Sequence, residues 1–134
     1  MDLTARELRY LTQACLAPAL WAWAIVLADS GLPAAVEACR VRDLPASTFA
    51  KLSESGWKGR EIDSLPSHDD VLRLILAVRI KAKMVRTKKH PKGLSQREAA
   101  HALNVGVPQA NDALRILERL AGPVMRDKIE EAAW

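Results

Sequence analysis

A chain of 134 residues holds one domain or two small ones, and 49% apolar with 27% charged content is the balance of a folded globular protein, which excludes a disordered one. Twenty Lys and Arg against sixteen Asp and Glu leave a net charge of +4, a modest excess whose placement matters more than its size. Cys15 and Cys39 form no CxxC pair and have no clustered His partners, so neither a metal site nor a disulfide framework is expected, and both read as buried, reduced thiols.

Thr4 and Glu7 form a capping box for a first helix, LTARELRYLTQACLA, whose inner side should hold Leu3, Leu8, Leu11, Cys15 and Leu16. Pro18 punctuates, and a second helix, PALWAWAIVLA, is closed by Asp29-Ser30-Gly31. The apolar run from Ala14 to Ala28 is interrupted by Pro18 and is shorter than the roughly 20 residues a bilayer requires, so no membrane span is expected. No basic start leads into a cleavable apolar stretch, so no signal peptide is expected and cytoplasmic residence is the default. Trp21 and Trp23 are two residues apart, about 200° around a helix, and cannot both face one core. Either the helix is wrapped on all sides or one Trp meets a second subunit, which makes Trp21 and Trp23 the expected contacts of a homodimer.

Pro33 opens a short helix through about Arg40, Asp43-Leu44-Pro45 breaks it, and a further helix runs from Ala46 or Ser47 to Gly56. The pair AVEACR and STFAKL has the outline of a second DNA-reading hairpin one residue too long in its spacing, with only Arg40, Arg42 and Lys51 as nearby cations. A purely structural hairpin is the preferred reading. The stretch 55–66, SGWKGREIDSLP, is rich in Gly, Ser and Pro and predicts a boundary. The expected layout is therefore all-α: an N-terminal helical domain over 1–56, a linker over 57–66 and a second helical domain over 67–134.

Ser67 and Asp70 cap a long helix, HDDVLRLILAVRIKAKMVRT, with Asp69 and Asp70 at its positive end. Val71, Ile75, Val78, Ala82 and Val85 line its apolar face, and Arg79, Lys83 and Arg86 lie off it. From Val71 to Arg97 there are nine basic residues and no acid, and Lys88-Lys89-His90-Pro91-Lys92-Gly93 forms a basic loop. A one-sided block of this kind is the footprint of a phosphate-binding surface. Arg79, Lys83, Arg86, Lys88, Lys89, Lys92, Ser95, Gln96 and Arg97 are the expected phosphate contacts.

The stretch from Leu94 to Leu117, LSQREAAHALNVGVPQANDALRIL, reads as two short helices joined by a tight turn. Ser95 and Glu98 make a second capping box, and Ala99, Ala100 and Leu103 share one face. Asn104-Val105-Gly106 turns the chain, with Asn104 suited to a left-handed backbone and Val105 pointing inward. Pro108 suits the first turn of the next helix, and Ala110, Leu114 and Leu117 give that helix its inward stripe. Val107, Gln109, Asn111, Asp112 and Arg115 remain outside and are the expected base contacts, Val107 toward a thymine methyl. Gly122-Pro123 should stop this helix, and Val124 to Trp134 should form a last amphipathic one. No segment alternates as a strand, so no wing is expected.

The spacing of Gln96, Ala100, Asn104, Val105 and Ala110 resembles the helix-turn-helix of the Cro and phage-repressor class. The longer string GLSQREAAHALNV…NDALRILERLAGPV is similar to the DNA-binding domain of ParB-type partition proteins. Asn104 stands where Gly is usual in the turn, Gly106 where a Ser or Thr cap is usual, and Ala110 where the inward residue is usually β-branched. The resemblance covers about residues 94–123 and implies a helical, often dimeric, binder of double-stranded DNA. It points to a transcriptional regulator, a repressor of a phage, plasmid or other mobile element. The alternatives are a partition or replication accessory protein, and a protein–protein module such as an antiactivator or host-factor inhibitor. No phosphate-binding Gly loop or nucleophile elbow occurs, and His90 and His101 have no ligand-spaced partners. His68-Asp69-Asp70, whose consecutive side chains point different ways on a helix, reads as a helix start rather than a metal or acid–base group. No enzyme, cofactor, metal or small-molecule substrate is expected.

Overall fold

The computed structural model describes residues 3–14, 20–54, 65–85, 89 and 91–131, the side chains of 122–131 excepted. Its elements are all helical, as the sequence pattern predicts: α1 (Ala5–Ala14), α2 (Trp21–Val41), α3 (Ala46–Glu54), α4 (His68–Met84), α5 (Gln96–Ala102) and α6 (Val107–Glu131).

The Thr4–Glu7 capping box that starts α1 is formed: the Thr4 N–H donates to Glu7 Oε1 at 2.9 Å and the Glu7 N–H to Thr4 Oγ1 at 3.1 Å. The buried face differs from the expected one. It consists of Glu7, Tyr10, Leu11 and Ala14, while Leu8 is 42% exposed. These four sit at i, i+3, i+4 and i+7, the spacing of a single helix stripe, and α1 lays that stripe against α4 and α6. A hydrophobicity count passes over Glu7. Cys15, Leu16 and Pro18 lie outside the described residues.

From Trp21 to Val41 the two expected helices run on from one another except at Gly31, whose φ of 85° and ψ of 173° break the helical path. That left-handed φ is one a side chain resists, and it lets Pro33 open the second segment. By length and composition α2 is apolar enough to cross a bilayer. The Gly31 break divides it, however, and Ala22, Trp23, Val26, Leu27, Ala35, Ala38 and Cys39 belong to the core.

Trp23 corrects the expectation of a paired-Trp interface. It is fully buried, and its indole N–H donates to the Ala35 carbonyl at 2.8 Å, across the Gly31 break. The Ala35 carbonyl thus ties the two halves of α2 through a buried ring. Trp21 is 48% exposed, as the 200° offset requires of its neighbour once Trp23 is inside.

Arg42 ends α2 with a φ of 57°, and the Asp43 N–H reaches back to the Ala38 carbonyl at 3.2 Å, so the helix stops at the turn foreseen. Ser67 caps α4 by accepting the Asp70 N–H at 3.1 Å. α4 is the central helix: it packs most extensively on α6 and also against α1, α2 and α5. Being surrounded, it buries Val71, Leu74, Ile75, Ala77, Val78 and Ile80, a wider arc than one stripe, whereas the expected Ala82 is only half-buried. Residues from α1 through α6 form one continuous hydrophobic cluster.

Candidate nucleic-acid interface

The α5–α6 hairpin is built from local rules the sequence carries. At the start of α5 the Glu98 N–H donates to Ser95 Oγ at 3.1 Å and the Ser95 N–H to Glu98 Oε1 at 3.2 Å, completing the capping box. Leu103 closes the helix through bonds to the Ala99 and Ala100 carbonyls, and Asn104 takes the left-handed conformation at φ 57°. The Val105 N–H then reaches back to the Ala100 carbonyl at 3.0 Å, and its side chain packs against the core. Ala99, Ala100, Ala110, Ala113 and Leu117 are buried at the crossing of α5, α6 and α4. Small side chains at the crossing allow the two helices to approach closely.

Gly106 begins α6 by accepting the Ala110 N–H at 3.0 Å, and its own N–H donates to Gln109 Oε1 at 3.0 Å. Gln109 thus supplies the N3 half of a capping box, and the reciprocal half, which a Ser or Thr at position 106 would make, has no side chain to form it. Farther along, Arg119 forms an ion pair with Asp70, which also holds Arg73 at 3.3 Å. This contact ties the middle of α6 to the first turn of α4. α6 does not stop at Gly122-Pro123, as the sequence reading expects, but continues to Glu131. Proline removes one ladder bond and crowds the carbonyl four residues earlier, a cost of about 3 kcal/mol. Helix-favouring runs on both sides, ALRILERLA before it and MRDKIEE after it, oppose that cost.

All five expected base-contact residues lie on the outer side of α6: Val107 is 39% exposed, and Gln109, Asn111, Asp112 and Arg115 are exposed. Asn111 accepts a hydrogen bond from the Gln96 amide, which sets the two helices' outer faces together. Arg115, 78% exposed, lies 3.7 Å from Asp112, an open ion pair of little energetic weight.

The expected phosphate contacts divide into groups. Lys83, Lys89, Lys92 and Arg97 are exposed and have no acidic partner among the described residues. Ser95 and Gln96 are at the start of α5, engaged in the cap and with Asn111. Arg86 and Lys88 lie outside the described residues, as does His90. Arg79 differs from the other expected contacts: its side chain is 38% exposed, but its Nε is 3.3 Å from Glu7 Oε2, so its charge is already engaged by a buried carboxylate on α1. The two residues are 72 positions apart, and no local sequence signal links them.

The second hairpin, α2–α3, turns the chain with a similar device, a left-handed Arg42 and an Asp43-to-Ala38 backbone bond. Its three cations are all occupied within the fold. Arg40 pairs with Glu37, Lys51 with Asp29, and Arg42 Nη1 donates to the Leu65 and Pro66 carbonyls at 3.1 and 2.8 Å. The exposed side of α3 presents Ser47, Phe49, Ala50 and Ser53 together with Glu54 and Lys51, and its one cation, Lys51, is already paired with Asp29. No cluster of His, Cys, Asp or Glu able to hold a metal ion occurs among the described residues. Cys39 is a buried free thiol, pushed up to about 11 by burial, with Arg42 opposing the rise.

The chain matches no protein-family model, and no curated protein or solved structure is detectably similar to it.

Proposed function

We propose that the protein is a sequence-specific regulator of transcription that binds double-stranded DNA, with α6 as the reading helix. The observation that carries this reading is the two-sidedness of α6. Ala110, Ala113 and Leu117 are buried, while Val107, Gln109, Asn111, Asp112 and Arg115 stand together on the open side near the helix N-terminus. Those side chains include donors and acceptors for base edges and one apolar group suited to a thymine methyl. The exposed Lys83, Lys89, Lys92 and Arg97 flank the hairpin and supply the phosphate-positioning charge. A repressor of a mobile element is the role this small, all-helical architecture suits. A homodimer on a two-fold site fits the same reading, with Trp21 as the remaining α2 candidate for the contact.

A protein–protein module is the second reading, and it is favoured by Phe49, 56% exposed, and Val41, 48% exposed, at the α2–α3 hairpin. Selection of bound duplexes from a random-sequence pool separates the two. Enrichment of a defined motif supports the DNA reader, and a pool that stays unenriched at low salt overturns it.

A further inference from the structure

A cleft of about 400 Å³ lies at the junction of the α1 N-terminus, the C-terminal end of α4, the basic loop and the end of α5. Thr4, Arg6 and Glu7 come from α1, Ala82 and Lys83 from α4, Lys89 and Leu94 from the loop and Ala102 from α5. Such a volume is in the range that takes a small organic molecule.

The charge in this cleft is unbalanced. Among the described residues Glu7 is its one carboxylate, and both its oxygens are committed, Oε1 to the Thr4 N–H and Oε2 to Arg79. Arg6, Lys83 and Lys89 are three cations from three segments of the chain, and none has an acidic partner among the described residues. Arg6, Lys83 and Lys89 are exposed, and their like charges, drawn to one concavity, sum to a positive potential that favours an anion there. Between the cations the walls are apolar: Ala82, Leu94 and Ala102. We propose that this cleft is a binding site for a small organic anion, a carboxylate, sulfonate or phosphate ester carrying an apolar body. The anionic group would meet Arg6, Lys83 and Lys89, and the body would cover Ala82, Leu94 and Ala102.

The cleft shares Lys83 and Lys89 with the proposed phosphate-positioning surface but no residue with the outer side of α6, and its test needs no DNA, so failure of the DNA-reading proposal leaves it standing. The probe is 1-anilinonaphthalene-8-sulfonate, titrated by fluorescence into the full-length chain, beside the uncharged N-phenyl-1-naphthylamine. The expected result is saturable binding of one sulfonate probe per chain, at least tenfold tighter than the neutral analogue. Arg6→Gln and Lys83→Gln should each weaken the sulfonate about tenfold, the scale of one lost charge-assisted contact. They should leave the circular dichroism and the binding of the neutral analogue unchanged. Ala102→Met, which fills the cleft without altering charge, should weaken both probes. Equal affinity for the two probes, or an unchanged sulfonate titration in Arg6→Gln and Lys83→Gln, would overturn the proposal.

Discussion

Lys92→Ala and Arg79→Ala remove the same charge from the same basic block, yet they should act differently. Lys92 is exposed on the loop before α5, whereas Arg79 is occupied by Glu7, whose side chain is only 8% exposed. Four cations, Lys83, Lys89, Lys92 and Arg97, are exposed without a partner among the described residues. Each phosphate they neutralise releases condensed counterion, contributing about −0.9 to the log–log slope of affinity against salt. Four contacts give a slope of about −3.6, or roughly a 150-fold loss of affinity between about 50 and 200 mM salt. Lys92→Ala should flatten the slope by about 0.9 and reduce the loss to roughly 40-fold. Arg79→Ala should leave the slope where it was and instead lower stability by about 1–3 kcal/mol, because a buried carboxylate loses its partner. Fluorescence anisotropy of a labelled 25-base-pair random duplex measures the slopes, and urea unfolding measures the stability. A slope for Arg79→Ala as shallow as that of Lys92→Ala would refute the division of the basic block. A parent slope shallower than about −2 would refute the phosphate surface itself.

Asn111→Ala and Arg115→Ala should each cost about 1–3 kcal/mol on the selected site and much less on random DNA, as read by competition binding. Ala100→Leu places a large side chain at the α5–α6 crossing, where Ala100 is 1% exposed, and should lower stability by about 1–3 kcal/mol in urea unfolding. Cys39 should be alkylated slowly in the folded chain: a thiol raised to about 11 carries roughly a hundredfold less thiolate at pH 8 than one at the ordinary value of 9.0. Because the folded form holds its proton longer, that group's contribution to stability falls as pH rises above about 9. Peptide-level mass spectrometry after iodoacetamide treatment, with and without denaturant, reads the difference.

What the sequence made legible was local chemistry. The capping boxes at Thr4–Glu7 and Ser95–Glu98, the Ser67 cap and the left-handed Asn104 each involve residues within a few positions of one another. The outer side of α6 was legible for the same reason, since its inward Ala110 and Leu117 fix which residues remain outside. What escaped was anything decided by a distant partner. Glu7 and Arg79 each looked like a surface charge until the fold put one against the other. Trp21 and Trp23 were indistinguishable until the Ala35 carbonyl selected Trp23 for the interior. The inner side of α1 was misjudged because two helices cover it and take in Tyr10 and the aliphatic part of Glu7. Gly122-Pro123 was read as a stop, although such a pair sets only a local cost against the helix-forming runs on either side.

The packing of α1 on both α4 and α6 bears on how such a hairpin would change in evolution and in the laboratory. A reading helix clamped only by its own hairpin partner can be excised and grafted as a cassette. Here Tyr10, Leu11 and Ala14 belong to the same cluster as Ala113 and Leu117, and Arg119 is held by Asp70, 49 positions earlier, so the tilt of α6 is set by residues far upstream as well. Transplanting residues 94–121 alone would bare that shared surface. Conversely, a change of volume at Tyr10 or Ala14 would tilt α6 without touching any side chain on its outer face, making the first helix a tuning element for the last.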